Sequence, residues 1–532
     1  MPVSKKHSSE QKKKVHKLPF IRPTQKELNT KILAGIVCVI IALYLLNFQK
    51  GFDFIGWVLL AFGFLQTFNF FWLKFDFAQP FGNPSLFIMI KTKKFIDLIH
   101  KLALLFSKWL ELISLLGSFL GFGLVAVDYW YARKLGGLKR IALLLVSGII
   151  LAVLFYYSCG ILFAVPALAP LFIPCLIGFV FLGFGGMSLV MLFGYGIISL
   201  LGLFIDKQLC PALAPVIPGV PVPGLGIVIP FVGWISLFII LIVHEWSHGV
   251  LMSHYKQKIN SVGLILAGLF PIGAFVEQED RTFNKLEDKK SIYVLSAGPA
   301  SNLLLIPIGI ILLLAFSFIS APFVPGIVDE QNKAYFGVKV EKVDDKVSMC
   351  GVDVNAPAKG KLFAGDIIKQ TNGADVNSLT TLRSATLLST NDINFLVSRK
   401  NVDTNIYSDV FVNITPNLFA DMNIKKIGVE FGAIPTDYNM SLVAQAGVFL
   451  IGNTNMALLL LIIIAFAAGS FNYFPSEPFD GGKIAKIMMT PYAGFMKFKT
   501  KEESRKFIGR IFIWLLIISV ILNLIPYATL FF

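Results

Sequence analysis

Charge is scarce in this sequence. Only 15% of its 532 residues are Asp, Glu, Lys or Arg, against about a quarter in an ordinary soluble domain. A soluble globular class is excluded on that balance, because 55% of the residues are hydrophobic and gather in runs long enough to cross a bilayer. Cysteine is nearly missing too. Cys38, Cys159, Cys175, Cys210 and Cys350 are scattered without a CxxC pair, which excludes a disulfide frame and a thiolate metal site. Acidic residues are the minority, 32 against 47 Lys and Arg, giving a formal net charge of +15. Nucleic acid is nevertheless not an expected partner. The excess sits in the tail MPVSKKHSSEQKKKVHKLPF and in short loops beside apolar runs, where the bias of Lys and Arg toward cytoplasmic loops places it. No A-x-A site follows the first apolar run, so no cleaved signal peptide is expected.

What is present is a series of apolar runs, near 32–48, 53–73, 103–127, 141–165, 171–205, 230–253, 291–319, 443–470 and 508–530. They predict a polytopic α-helical membrane protein of about eight transmembrane helices in the lipid bilayer, behind a disordered basic tail over 1–31. Residues 32–206 form an N-terminal helical extension, and 207–320 and 438–532 form two parts of a membrane core. The run at 171–205 is too long for one straight span and reads as a kinked helix or a helix plus a re-entrant piece. Between 321 and 437 the character changes to polar residues, short β-type runs and turn formers, predicting an inserted soluble α+β domain. There LFAGDIIKQTNGADVNSLTTL offers a strand, an Asn-Gly turn and a helix from near Ser378, and resembles the core of a PDZ domain. The basic tail and the basic MKFKTKEESRKFIGR put the N-terminus and that connection in the cytoplasm and the insert on the opposite face. One connection breaks the pattern. DYWYARKLGGLKR, Asp128 to Arg140, falls outside if 103–127 spans; Lys108 and Glu111 within that run point to a partly interfacial course.

Histidine is also rare, with six in the chain, yet two stand in LIVHEWSHGVL, inside a membrane-grade run. His244 and His248 are four apart, so on a helix they share a face and can bind one Zn²⁺. Glu245 stands where a general base is needed. An ionisable group at that depth costs about 2.5–3.5 kcal/mol on insertion scales, which argues for a function. Hydrolytic zinc takes a third protein ligand. Asp480, in NYFPSEPFDGGK beside Gly481 and Gly482, is a candidate; an N-capping aspartate is the plain alternative. Another HExxH protease would take a glutamate on a following helix as its third ligand, whereas the acidic residues after His248, namely Glu277, Glu279 and Asp280, sit in a polar loop.

HExxH in one apolar helix, NYFPSEPFDG far downstream, SAGPASN between them and the PDZ-like insert together resemble the site-2 proteases, intramembrane zinc metalloproteases. Phe479 replaces the family's usual Leu before Asp-Gly. The resemblance covers about 230–532. It implies zinc held by His244, His248 and Asp480, catalysis by Glu245, and a substrate contact at Asn472, against which stands a simple cap on its own helix. Asn302 reads chiefly as a packing or hydrogen-bonding residue between core helices. The segment Gly263–Asp280 is expected as a re-entrant hairpin whose strand edge holds unwound substrate. The implied function is regulated intramembrane proteolysis of a transmembrane protein, with the insert binding peptide ends. A metal-binding transporter or scaffold is the non-enzymatic alternative.

Overall fold

The structure, a computed structural model, describes residues 35–42, 59, 63 and 77–78 and, with the longest gaps at 204–216, 223–227 and 280–284, residues 87–528. The tail 1–31 and the apolar runs 32–48 and 53–73 lie wholly or largely outside these residues. Phe77–Ala78 (β1) pairs antiparallel with Phe87–Thr92 (β2), Phe77 opposite Ile90.

Seven helices are long and apolar enough to cross a membrane. They are Ile96–Trp130 (α1), Gly137–Cys159 (α2), Phe172–Leu203 (α3), Gly233–His254 (α4), Asp288–Ser320 (α5), Leu442–Phe471 (α8) and Lys501–Ala528 (α10). Shorter helices at Val324–Ala334 (α6), Leu379–Leu387 (α7) and Asp480–Met489 (α9) lie between them. Among the described residues the count is therefore seven, one for each expected run from 103 onward. The chain is an integral, multi-pass membrane protein. Helix α2 exposes Leu145, Ile149 and Val153 along one side, a continuous apolar surface that lipid covers and water does not tolerate.

Two of the seven fold back on themselves. In α1, Gly123 takes φ 49°, ψ −132°. Beyond it Trp130 Nε1 donates to Ser118 Oγ at 3.1 Å, and the Phe119 and Tyr131 rings stand 6.1 Å apart. Residues twelve apart on a straight helix are separated by about 18 Å. In α3 the break is at Leu182 and Gly183, and Cys175 Sγ reaches within 3.9 Å of the Met187 carbonyl oxygen. Glycine suits both turns because φ is positive, 49° and 55°. It is also required by contact. A Cβ on Gly123 would strike the Phe179 and Val180 carbonyls, and one on Gly183 the backbone of Leu120 to Phe122. The two reversals thus meet tip to tip, with their irregular backbone enclosed by protein, the condition under which it survives at membrane depth.

The reversal in α1 also removes the topological exception. Asp128 is bonded by Arg140 at 2.9 Å, Arg133 at 3.3 Å and the Tyr492 hydroxyl. Burial, helped by Asp128, pushes the Tyr492 phenol up to about 12, so it remains a donor. Arg505 grips both oxygens of Asp288 at 2.7 Å, and Trp130 lies 5.1 Å from Tyr293. The basic connection 128–140, the start of α5 and the basic segment before α10 therefore share one end of the bundle.

Between α4 and α5 the chain makes a β-hairpin, Ile259–Ala267 (β3) and Phe270–Gln278 (β4), hydrogen-bonded as neighbours. Between α6 and α8 it builds a small antiparallel α+β unit. Its strands are Tyr335–Val343 (β5), Lys346–Met349 (β6), Val352–Asn355 (β7), Ile367–Thr371 (β8), Ala374–Asp375 (β9), Ile393–Lys400 (β10), Tyr407–Ile414 (β11), Asn417–Phe419 (β12), Ile424–Lys426 (β13) and Val429–Pro435 (β14). The main sheet runs β11-β10-β8-β5-β14, with β9 on β8. Asn372 and Gly373, at φ 52° and 80°, make the two-residue turn that joins β8 to β9. Helix α7 starts one residue after Ser378, whose Oγ accepts the Thr381 N–H. Val338, Ile368, Phe395 and Val397 form the unit's buried centre.

Candidate metal centre

Helix α4 carries His244 and His248 one turn apart, both buried, with Nε2 atoms 3.2 Å from each other. Helix α9 brings Asp480 to them across 236 residues of sequence. Its Oδ2 lies 3.2 Å from His244 Nε2 and 3.3 Å from His248 Nε2. Asp480 makes no cap of its own, since Phe479 holds the N-cap position and no side chain caps α9. The carboxylate is turned to the histidines instead. Gly481 and Gly482 make this approach possible, because a Cβ on either would strike the backbone of 473–477.

Three donor atoms at 3.2, 3.2 and 3.3 Å form a nearly equilateral triangle. Zinc with bonds of about 2.0–2.1 Å separates its tetrahedral ligands by about 3.3 Å. The donor set suits that ion. Two imidazole lone pairs and a carboxylate oxygen this close repel one another unless a cation or a proton lies among them.

The ring orientations agree. His248 Nδ1 lies 2.7 Å from the Val294 carbonyl, which can only accept, so in the neutral ring Nδ1 carries the proton and Nε2 presents its lone pair to the triangle. His244 Nδ1 lies 3.0 Å from the Asn302 amide, whose Oδ1 is otherwise buried without a partner. Turned to the ring, that oxygen accepts Nδ1–H and leaves His244 Nε2 free as well. Val294, Gly298 and Asn302 are four residues apart, and so occupy one face of α5. A Cβ on Gly298 would collide with Nε2 of both histidines; glycine keeps the space open. Ser247 and Ser301, bonded at 2.7 Å, tie α4 to α5 beside it.

Glu245 stands next in the helix, and its Oε2 accepts the backbone N–H of Val276 in β4 at 3.1 Å. The hairpin and the carboxylate are thus in direct contact. Asn472 ends α8, with Nδ2 donating to Ala468 O at 2.9 Å and its carbonyl accepting the Gly481 N–H at 2.8 Å. Its side chain caps its own helix while its backbone anchors the start of α9. Glu477 pairs with Lys486 at 3.0 Å, and His254 lies 3.3 Å from Glu111. Glu277 is bonded by Ser261 and Glu279 lies 4.0 Å from Lys258; Asp280 is outside the described residues. His244, His248 and Asp480 are the group among the described residues that could hold a metal. The sequence did not single out Asn302 as a partner of His244, although its four-residue spacing from Gly298 was a usable signal.

Among known proteins, the family model described as "Peptidase family M50" matches residues 232–519, more than half of the chain and the whole stretch that carries these side chains. An uncharacterized protein of Methanocaldococcus jannaschii is 34% identical over 155 residues, 29% of this chain and 35% of that protein. The chain thus spans about a third of the relative's length.

Proposed function

The chain belongs to peptidase family M50, a membrane metalloprotease, and from that premise we propose that it is an intramembrane zinc peptidase cutting a bond within or next to the transmembrane segment of a membrane protein. The observation that carries the reading is the triangle of His244 Nε2, His248 Nε2 and Asp480 Oδ2 with Glu245 adjoining it on the same helix. Zinc held by His244, His248 and Asp480 would supply Lewis acidity to the scissile carbonyl and to the attacking water near neutral pH. Glu245 takes the proton from the attacking water and returns it to the leaving amine. The buried, low-dielectric surroundings strengthen the charge stabilisation that such a site provides.

A helical substrate keeps its carbonyls hydrogen-bonded and must be opened before attack. The β3–β4 hairpin lies against Glu245 through Val276, so a substrate strand paired to it would be extended at the reacting carboxylate. Asn472 contributes by holding the loop that carries Asp480, and a direct substrate contact from it requires its cap bond to Ala468 to open. The α+β unit, read as PDZ-like, binds peptide ends on the face opposite the basic loops, with the N-terminus cytoplasmic.

Co-expression with single-span membrane proteins tests the proposal. The native chain should generate new termini inside a transmembrane stretch. Glu245→Gln should lower cleavage by about 10²–10⁴-fold while zinc content, read by elemental analysis, stays unchanged. Cleavage that persists in Glu245→Gln, or maps to a soluble loop far from the bilayer, overturns it.

A further inference from the structure

The two reversals of α1 and α3 do more than fill space. They close around one side chain of the loop that delivers Asp480. Tyr473 is fully buried. Its ring is edge-on to Phe122 at 6.3 Å between centroids. A Cβ on Gly121 would strike that ring, and one on Gly117 would strike its hydroxyl. Gly185, just past the α3 turn, faces the Tyr473 carbonyl so closely that a Cβ there would collide with it. At the far end the hydroxyl meets Ser296 Oγ at 2.8 Å, and Ser296 Oγ donates to the Ser114 carbonyl at 2.9 Å. Ser296 is two residues before Gly298, which faces both histidines.

The backbone of the same residue reaches the metal-side carboxylate. Gly481 lies against the carbonyls of Tyr473 and Phe474, and its N–H bonds the Asn472 carbonyl at 2.8 Å. Asp480 is held between that anchor and Phe479. A shift of the Tyr473 ring therefore moves the 472–474 backbone, then Gly481, then the carboxylate. The triangle's edges of 3.2–3.3 Å leave little tolerance, because donor groups must be held within about half an ångström of working geometry.

We propose that Tyr473 is a positioning residue for Asp480, and that the helical extension, α1 and α3, serves the metal centre by fixing it. Neither helix supplies a donor. Their part is the glycine-walled socket. The inference rests on the zinc reading of the triangle, and it makes residues outside the family match part of the centre's geometry.

The test is zinc dissociation from the purified full chain in detergent, followed with a chromogenic chelator, beside thermal unfolding of the same samples. Gly121→Ala, on a helix that supplies no donor, should release zinc roughly 10–100-fold more readily, as loss of supporting contacts does at other sites. Tyr473→Phe, which keeps the ring and loses the Ser296 bond, should show a smaller rise, of about several-fold. Phe395→Ala, in the separate α+β unit, should lower the unfolding temperature without changing zinc release. If Gly121→Ala does not fold, Tyr473→Phe decides alone. Native zinc release in both variants, whatever their unfolding temperatures, makes Tyr473 a packing residue only and overturns the proposal. A native chain that takes up no zinc overturns the metal reading instead, and so separates the two failures.

Discussion

At the scale of single residues, each histidine in the triangle is fixed from behind by α5. Val294 offers a backbone carbonyl and Asn302 a side-chain amide. A backbone acceptor cannot be deleted by substitution, but an amide can. Asn302→Leu removes the partner of His244 Nδ1 while roughly preserving volume, and is expected to weaken zinc binding by about 10–100-fold. Asn302→Asp, which keeps an acceptor for Nδ1–H, should recover most of that loss. Competition titration against a chelator reads both, and equal affinity in native and Leu variants would remove Asn302 from the site. Which side chains converge was the most legible part of the sequence. HExxH spacing places two imidazoles on one helix face, and Asp480 stood in a glycine-flanked motif. Asn302 was less legible, because an amide inside a membrane helix reads equally well as a bond between neighbouring helices.

At the scale of elements, hydrophobic runs located all seven long helices, and the length of 171–205 already read as a kink or a re-entrant piece, but nothing in the run at 103–127 showed that α1 turns back as well. An apolar reversal has the same composition as an apolar span; only its glycines differ, and glycine is common in membrane helices for packing reasons too. The hairpin after α4 was legible from its helix-breaking residues, as was the Asn372-Gly373 turn. The reversals make a distinct stability prediction. Gly183→Ala forces a side chain into a left-handed conformation and against the Leu120 carbonyl, which should cost about 1–3 kcal/mol from backbone strain alone. Gly160→Ala, where a Cβ meets nothing within 4 Å, should leave the unfolding midpoint in detergent near the native value. Indistinguishable midpoints for the two variants would mean that the α3 turn is not a constrained contact.

At the scale of the whole molecule, the shared end of α1, α5 and α10 makes topology testable. The Asp128–Arg133–Arg140–Tyr492 cluster and the Asp288–Arg505 pair gather the basic connections on one side, the side that the bias of Lys and Arg would make cytoplasmic. In a background lacking the five native cysteines, Lys134→Cys and Lys499→Cys should react with an impermeant thiol reagent only from the cytoplasmic side. Lys361→Cys, in the α+β unit, should react only from the other side. Opposite accessibility of positions 134 and 499 would contradict the return of α1. From the sequence alone the first half of the bundle could not be oriented, because a straight α1 would have carried its basic end across the bilayer.

The two imidazoles and the carboxylate come from regions 236 residues apart, with the α+β unit translated between them. On a ribosome, α4 enters the bilayer long before Asp480 is made, and until then the imidazoles lack their third companion. The socket of α1 and α3 likewise waits for Tyr473. The candidate centre is thus incomplete through most of the chain's synthesis and is assembled only when its last helices arrive.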